Sequence, residues 1–183
     1  MRVIAGIARG RHLKGGSERG LRPTSDLVRG AMFDMLQAMG ADFGRVLDLY
    51  AGTGALGIEA LSRGAGWCDF VEKDARFCRV IHENLALAGL GEKAAVFCVP
   101  AERALTKLAG EYSLILADPP YAEEKADGVL QRIAASSLIG PATIILFEHS
   151  KRKAPPETLG PLPVSTNRRH GDTVISVYRR GGS

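Results

Sequence analysis

The chain has 183 residues, of which 45% are apolar and 24% charged, proportions that fit one folded domain and argue against disorder, a fibrous repeat or a second catalytic domain. No run approaches about 18 uninterrupted apolar residues, and the N-terminus turns polar too soon for a secretory segment, so a cytoplasmic address without a membrane partner is expected. The net charge of +4 is unevenly spread: residues 1–30 carry +5, residues 151–183 another +5, and the stretch between them −6. A polyanion responds to the local sign of a surface, which makes both ends candidate nucleic-acid contacts; two solvated basic ends without a partner are the bland alternative.

Residues 2–14 mix short apolar runs with Gly6, Gly10 and the cations Arg2, Arg9, Arg11 and Lys14, a pattern of an irregular hairpin or extended arm. This basic arm is taken as residues 1–22, with one domain over 23–183. Pro23-Thr24-Ser25-Asp26 supplies N-cap chemistry, and Val28, Ala31, Met32, Met35, Leu36 and Met39 then follow at helical spacing, the methionines as core filler. From residue 45, apolar strands at 46–50, 68–71, 94–99, 112–117 and 143–147 alternate with helical stretches at 54–63, 74–88, 101–109 and 126–139. Phe77, Cys78, Ile81, Leu85 and Ala88 share one face of the second stretch. Strands apolar on both faces and separated by helices indicate an α/β, Rossmann-like, mostly parallel sheet with helices on both faces. Pro155, Pro156, Pro161 and Pro163 interrupt regular structure, and segments 164–169 and 173–180 around His170-Gly171-Asp172 suggest a C-terminal antiparallel hairpin carrying Arg168 and Arg169. Cys68, Cys78 and Cys98 match neither a disulfide framework nor a metal knuckle and read as reduced core thiols. His12, His82, His149 and His170 are scattered in surface or capping roles, and no metal site is expected.

Two segments carry chemistry. Strand 46–50 runs into Ala51-Gly52-Thr53-Gly54-Ala55-Leu56-Gly57 just before a helix, where glycines admit a ligand to the backbone and the helix N-terminus offers free N–H groups. The spacing also satisfies the weak dinucleotide fingerprint. Asp48, however, would repel a pyrophosphate and attract the ammonium of S-adenosylmethionine. In Val71-Glu72-Lys73-Asp74, Glu72 closes the next strand where a carboxylate accepts hydrogen bonds from ribose hydroxyls. The bland readings are a carboxylate bracing loop N–H groups for Asp48 and a surface acid for Glu72. Farther on, a strand ends in Asp118-Pro119-Pro120-Tyr121, whose prolines make a rigid, extended loop. Asp118 and the Pro119 carbonyl can accept both hydrogens of an exocyclic amine while Tyr121 stacks on its base, a contact worth about 1–3 kcal/mol. A plain capped loop is the alternative.

Together, Asp48-Leu49-Tyr50-Ala51-Gly52-Thr53-Gly54, Val71-Glu72-Lys73-Asp74 and Asp118-Pro119-Pro120-Tyr121 resemble a class I S-adenosylmethionine-dependent amino-methyltransferase. Arg2-Val3-Ile4-Ala5-Gly6, Arg9-Gly10-Arg11-His12-Leu13 and Leu21-Arg22-Pro23-Thr24-Ser25-Asp26 narrow the resemblance to the RsmD family of bacterial 16S rRNA guanine-N2 methyltransferases. It implies that Asp48, Tyr50, Ala51, Gly52, Thr53, Gly54, Glu72, Lys73, Glu102 and Asp118 bind S-adenosylmethionine and that Asp118, Pro119, Pro120 and Tyr121 hold the target guanine. Arg2, Arg9, Arg11, Lys14, Arg22, Arg168 and Arg169 would then hold phosphates of 16S rRNA within a small-subunit particle, the enzyme acting as a monomer. The chain departs from the family at Pro100-Ala101-Glu102, where Asp or Asn commonly meets the adenine, and at Gly30, where Glu is usual. Adenine N6 or a protein glutamine as methyl acceptor, an NAD oxidoreductase and a catalytically silent RNA-binding module are the rival readings.

Overall fold

The computed structural model describes residues 1–15, 25–120 and 122–181. Five parallel strands, β1 (Arg45–Leu49), β2 (Trp67–Glu72), β3 (Ala94–Cys98), β4 (Tyr112–Ala117) and β5 (Ile139–Ser150), form the body of one sheet. β6 (Thr158–Leu159), β7 (Leu162–His170) and β8 (Thr173–Tyr178) extend it antiparallel, giving the order β3-β2-β1-β4-β5-β8-β7-β6. Helices α1 (Asp26–Ala38), α2 (Ala55–Ser62) and α3 (Ala75–Ala88) cover one face, packing on Val46, Leu114, Leu116, Ile144 and Leu146. The short α4 (Ala101–Ala104) and α5 (Ala126–Ala134) cover the other, on Leu47, Ile115, Ile145 and Phe147. Alternate residues of each strand thus feed opposite cores, which is why the strands read as unbroken apolar runs. The architecture is the expected Rossmann-like one with its terminal antiparallel hairpin.

Local chemistry sets the helix starts. The Ser25 hydroxyl accepts from the Val28 N–H at 3.2 Å, and the Asp74 carboxylate accepts from the Arg76 N–H at 2.8 Å. α2 begins at Gly54, which sits in the left-handed region at φ +80°. A Cβ on Gly57 would come within 2.3 Å of the Phe70 ring, so the last glycine of that motif serves close packing of α2 on β2.

Several boundaries differ from the sequence reading. α4 is a single turn, and α5 stops at Ala134: the Ser136 hydroxyl donates to the Ile133 carbonyl at 2.7 Å and accepts from the Leu138 N–H at 3.2 Å, freeing the chain to enter β5 at Ile139. Pro141 is accommodated in β5 because the register shifts between Tyr112 and Leu114 of the neighbouring strand, a bulge that asks for no donor there. Pro163 lies inside β7, where its carbonyl accepts from the Arg179 N–H at 3.3 Å. Cys68 and Cys78 are buried, but Cys98 is exposed because β3 is the edge strand. His149 is buried, its Nε2 2.8 Å from the Ser176 hydroxyl, not at the surface.

The arm is an irregular hairpin closed by an Arg2–His12 bridge and turned at Gly6, φ +82°. Val3, Ala8 and Leu13 are buried beneath it. Glu59 of α2, fully buried, accepts from the Ile4 N–H at 2.8 Å and the Ala5 N–H at 3.1 Å, while also pairing with Arg63 Nε at 2.8 Å. The boundary placed after residue 22 lies outside the described residues. Among the described residues no helix is long and apolar enough to cross a membrane.

Candidate active site

Because β1, β2, β4 and β5 run parallel, their C-terminal ends share one edge of the sheet, where open α/β folds bind ligands. A cavity of about 570 Å³ opens there, within the range of small-molecule sites.

Its first wall is the loop after β1. Tyr50 turns the chain at φ +65°, and Gly52 follows at φ +54°. Glu72 braces this turn: one carboxylate oxygen accepts from the Gly52 N–H and the other from the Asp74 N–H, both at 2.8 Å. Tyr50, Gly52, Glu72 and Lys73 line the cavity. The Tyr50 hydroxyl is buried without a hydrogen-bond partner among the described residues, and burial, then the charges of Glu123 and Glu102, push the phenol above its ordinary range.

Asp48, Ala51, Thr53 and Gly54 stand behind that wall and are not among the cavity-lining residues. The Asp48 carboxylate, 1% exposed, accepts from the Gly57 N–H at 2.8 Å. Burial pushes its pKa up to about 8; the Gly57 hydrogen bond opposes this and the charge of Glu72 adds to it. Thr53 faces the arm: its carbonyl accepts from Asn84 Nδ2 at 2.9 Å, and Asn84 in turn accepts from the Lys14 N–H at 2.7 Å.

Val71, Phe77, Val99 and Ala101 form an apolar side, with Glu102 beside them. Phe77, placed by its spacing on the apolar face of α3, is a half-buried cavity residue. Pro100 precedes α4, its carbonyl accepting from the Arg103 N–H at 2.9 Å, so Glu102 is the polar side chain this segment presents.

The facing wall is Asp118, Pro119 and Pro120, directly after β4, with Lys73 Nζ reaching Glu123 Oε2 at 3.4 Å to join the two sides. Tyr121 lies outside the described residues. Glu148 at the end of β5, His170 and Thr173 from the β7–β8 turn, and Ser25 and Val28 from α1 complete the rim. In the sequence Ser25 reads as a helix cap, Val28 as part of an apolar helix face and His170 as a surface or capping residue, and none of the five as a site residue. An acid closing an apolar strand run, as in Asp48 and Asp118, is the signal that marks Glu148.

Of the basic residues, Lys14 adjoins the glycine turn through Asn84, whereas Arg9 follows Ile7 and Ala8, which bond to Ser62 at the other end of α2. Arg2, Arg9, Arg11, Lys14, Arg168 and Arg169 are exposed and do not line the cavity. Arg2 lies 3.6 Å from Asp26 and Lys14 2.9 Å from Glu83, while Arg169 Nε donates to the Gly171 carbonyl at 3.0 Å. Arg22 is outside the described residues.

A family model described as conserved hypothetical protein 95 matches residues 1–179. The chain is 38% identical to YlbH of Bacillus subtilis over 100% of both chains. It is 31% identical to ribosomal RNA small subunit methyltransferase D of Haemophilus influenzae, covering 84% of this chain and 80% of that one. Among solved structures, a hypothetical protein of Thermus thermophilus superposes with a TM-score of 0.82 at 31% identity, covering 98% of this chain and 99% of that one. The Escherichia coli protein yhhF gives 0.85 at 26% identity, with 98% and 97% covered. Matched over nearly its whole length by that model and by these relatives, the chain belongs to the conserved hypothetical protein 95 family, the RsmD methyltransferases.

Proposed function

We propose that the protein transfers a methyl group from S-adenosylmethionine to the exocyclic N2 of an unpaired guanine of 16S rRNA in the cytoplasm, acting as a monomer on a small-subunit particle. The observation that carries this reading is the single cavity walled on one side by Gly52 and Glu72 and on the other by Asp118, Pro119 and Pro120. Relatives named ribosomal RNA small subunit methyltransferase D support the RNA substrate.

The residues present fit the cofactor. The glycine turn gives close backbone approach, and Glu72 keeps lone pairs for ribose hydroxyls beyond its two backbone donors. Val71, Phe77 and Val99 suit a purine face, and Asp48, enclosed behind the glycine turn and holding its proton until a cation approaches, is assigned to the cationic amine. Bound there, S-adenosylmethionine supplies an electrophilic methyl on a sulfonium. Asp118 and the Pro119 carbonyl accept the two hydrogens of the amine and orient its lone pair across the cavity, and the Asp118 carboxylate takes the proton that N2 sheds once it is methylated. Most of the rate then comes from positioning, for which about 7–11 kcal/mol is available at best. The rigid proline turn holds the acceptors, and Tyr121 is assigned to stack on the base. A guanine inside a duplex cannot present N2 here, so the base enters unpaired or flipped. The basic arm and the hairpin cations hold flanking phosphates.

The test is Asp118→Ala. Labelled-methyl transfer to small-subunit particles falls about 100-fold or more, the scale of losing a positioned transition-state partner, while calorimetry shows that S-adenosylhomocysteine still binds. Undiminished turnover overturns the role of Asp118, and a methyl group mapped to adenine N6 or to a glutamine overturns the substrate.

A further inference from the structure

Glu148 is used by nothing above, yet it occupies a telling place. Ala117 of β4 pairs with Phe147 of β5 in parallel register, so Asp118, directly after β4, and Glu148, still within β5 and paired with Ile175 of β8, stand side by side, about 5 Å apart at strand spacing. Alternation along each strand sets their faces. Leu114 and Leu116 precede Asp118 by four and two residues, Ile144 and Leu146 precede Glu148 likewise, and all four belong to the same core. Both carboxylates therefore rise from one face, and both line the cavity, with Glu148 only 6% exposed.

We infer that Glu148 is a specificity-determining residue for the base, accepting the N1–H of guanine while Asp118 and the Pro119 carbonyl take the N2 hydrogens; this rests on the methyl-transfer reading above. Guanine presents adjacent donors, N1–H and the N2 amine, along one edge. Two neighbouring carboxylates are the complement of that edge. Adenine places an acceptor at N1, which a carboxylate repels, so the wrong base meets a repulsion where guanine meets an acceptor. In the free protein Glu148 and Asp118 each already have an interaction partner, and a carboxylate retains lone pairs for a further donor. The shared cavity thus divides the work: Asp118 addresses the reacting nitrogen and Glu148 the atom next to it in the ring.

The experiment uses small-subunit particles reconstituted with 16S rRNA carrying either guanine or 2-aminopurine at the nucleotide that the wild-type protein methylates. 2-Aminopurine keeps the N2 amine but lacks N1–H and O6. The wild-type protein is expected to prefer guanine in kcat/KM by about tenfold or more. In Glu148→Gln, whose amide donates to an unprotonated N1, guanine turnover falls and the preference shrinks by about tenfold or reverses, although loss of O6 is common to both proteins. Glu148→Asp retains the preference at a lower rate. Retained S-adenosylhomocysteine binding reports that each variant is folded. Equal use of both bases by the wild-type protein, measured without any variant, overturns the inference, as does an unaltered preference in Glu148→Gln. Absence of any guanine methylation by the wild-type protein overturns the underlying reading instead.

Discussion

At residue scale, Asp48 is an acid enclosed behind the glycine turn, 1% exposed and bonded to the Gly57 N–H. A carboxyl pushed up to about 8 keeps a proton that the unfolded chain, with its Asp near 3.9, has already released. The sign follows: the raised pKa favours the folded state fully below the unfolded value, and this contribution is lost as pH rises towards 8. Wild-type protein should lose thermal stability relative to Asp48→Asn between about pH 5 and pH 8, because the amide preserves an acceptor for the Gly57 N–H and has no proton to lose. A cationic amine beside Asp48 would favour the carboxylate. Binding of S-adenosylhomocysteine near neutral pH should therefore release up to one proton, measured by calorimetry in buffers of different ionisation enthalpy. Asp48→Asn should abolish that release. If release is the same in both proteins, Asp48 only braces the loop.

At element scale, the arm is anchored on two buried side chains of the helix that follows the glycine turn, Glu59 and Ser62, the latter accepting from the Ala8 N–H at 3.0 Å. Glu59 binds the Ile4 and Ala5 amides and sits among Arg29, 3.9 Å away, and Arg63. Removing one member of a buried charged set costs about 3–5 kcal/mol because the others stay desolvated. Glu59→Ala should lose stability on that scale, and hydrogen exchange should accelerate first at the Ile4 and Ala5 amides; unchanged exchange there means the apolar underside and the bonds to Ser62 and Asn84 hold the arm without Glu59. Such long-range anchors were not legible in the sequence, where Glu59 is a lone acid in an apolar helix and nothing local says that its partner lies more than fifty residues away. What period and capping encode was legible: the strand and helix alternation, the starts at Ser25 and Asp74, the glycine turn, and the paired motifs that meet in one cavity. The end of α5 was hidden because Ile133, Leu138 and Ile139 stay apolar across the boundary between helix and strand. Phe77 was hidden because helical spacing identifies an apolar face without distinguishing core from cavity wall.

At the scale of the whole molecule, the Lys14 end of the arm and the β7–β8 turn approach the cavity edge of the sheet by different routes. The arm reaches the glycine turn through Lys14, Asn84 and Thr53. β8 runs antiparallel to β5, so the β7–β8 turn returns to the C-terminal edge of the sheet and puts His170 and Thr173 on the cavity rim beside Arg169. The segment between the termini, with its balance of −6, repels a polyanion elsewhere and so orients its approach. Each phosphate neutralised should contribute about 0.7–0.9 to the slope of log K against log salt. Arg9→Ala/Arg11→Ala should therefore weaken binding to a 16S rRNA fragment most at low salt and flatten the slope by about 1.4–1.8 if each arginine holds one phosphate. Arg168→Ala/Arg169→Ala should do the same independently, and combining the pairs should add their effects, as expected for separate sites on one ligand. Cofactor affinity should stay constant throughout, since none of the four side chains lines the cavity. A slope indifferent to the arm pair would leave the hairpin as the RNA contact and return the arm to a covering of α2, where Glu59 holds it.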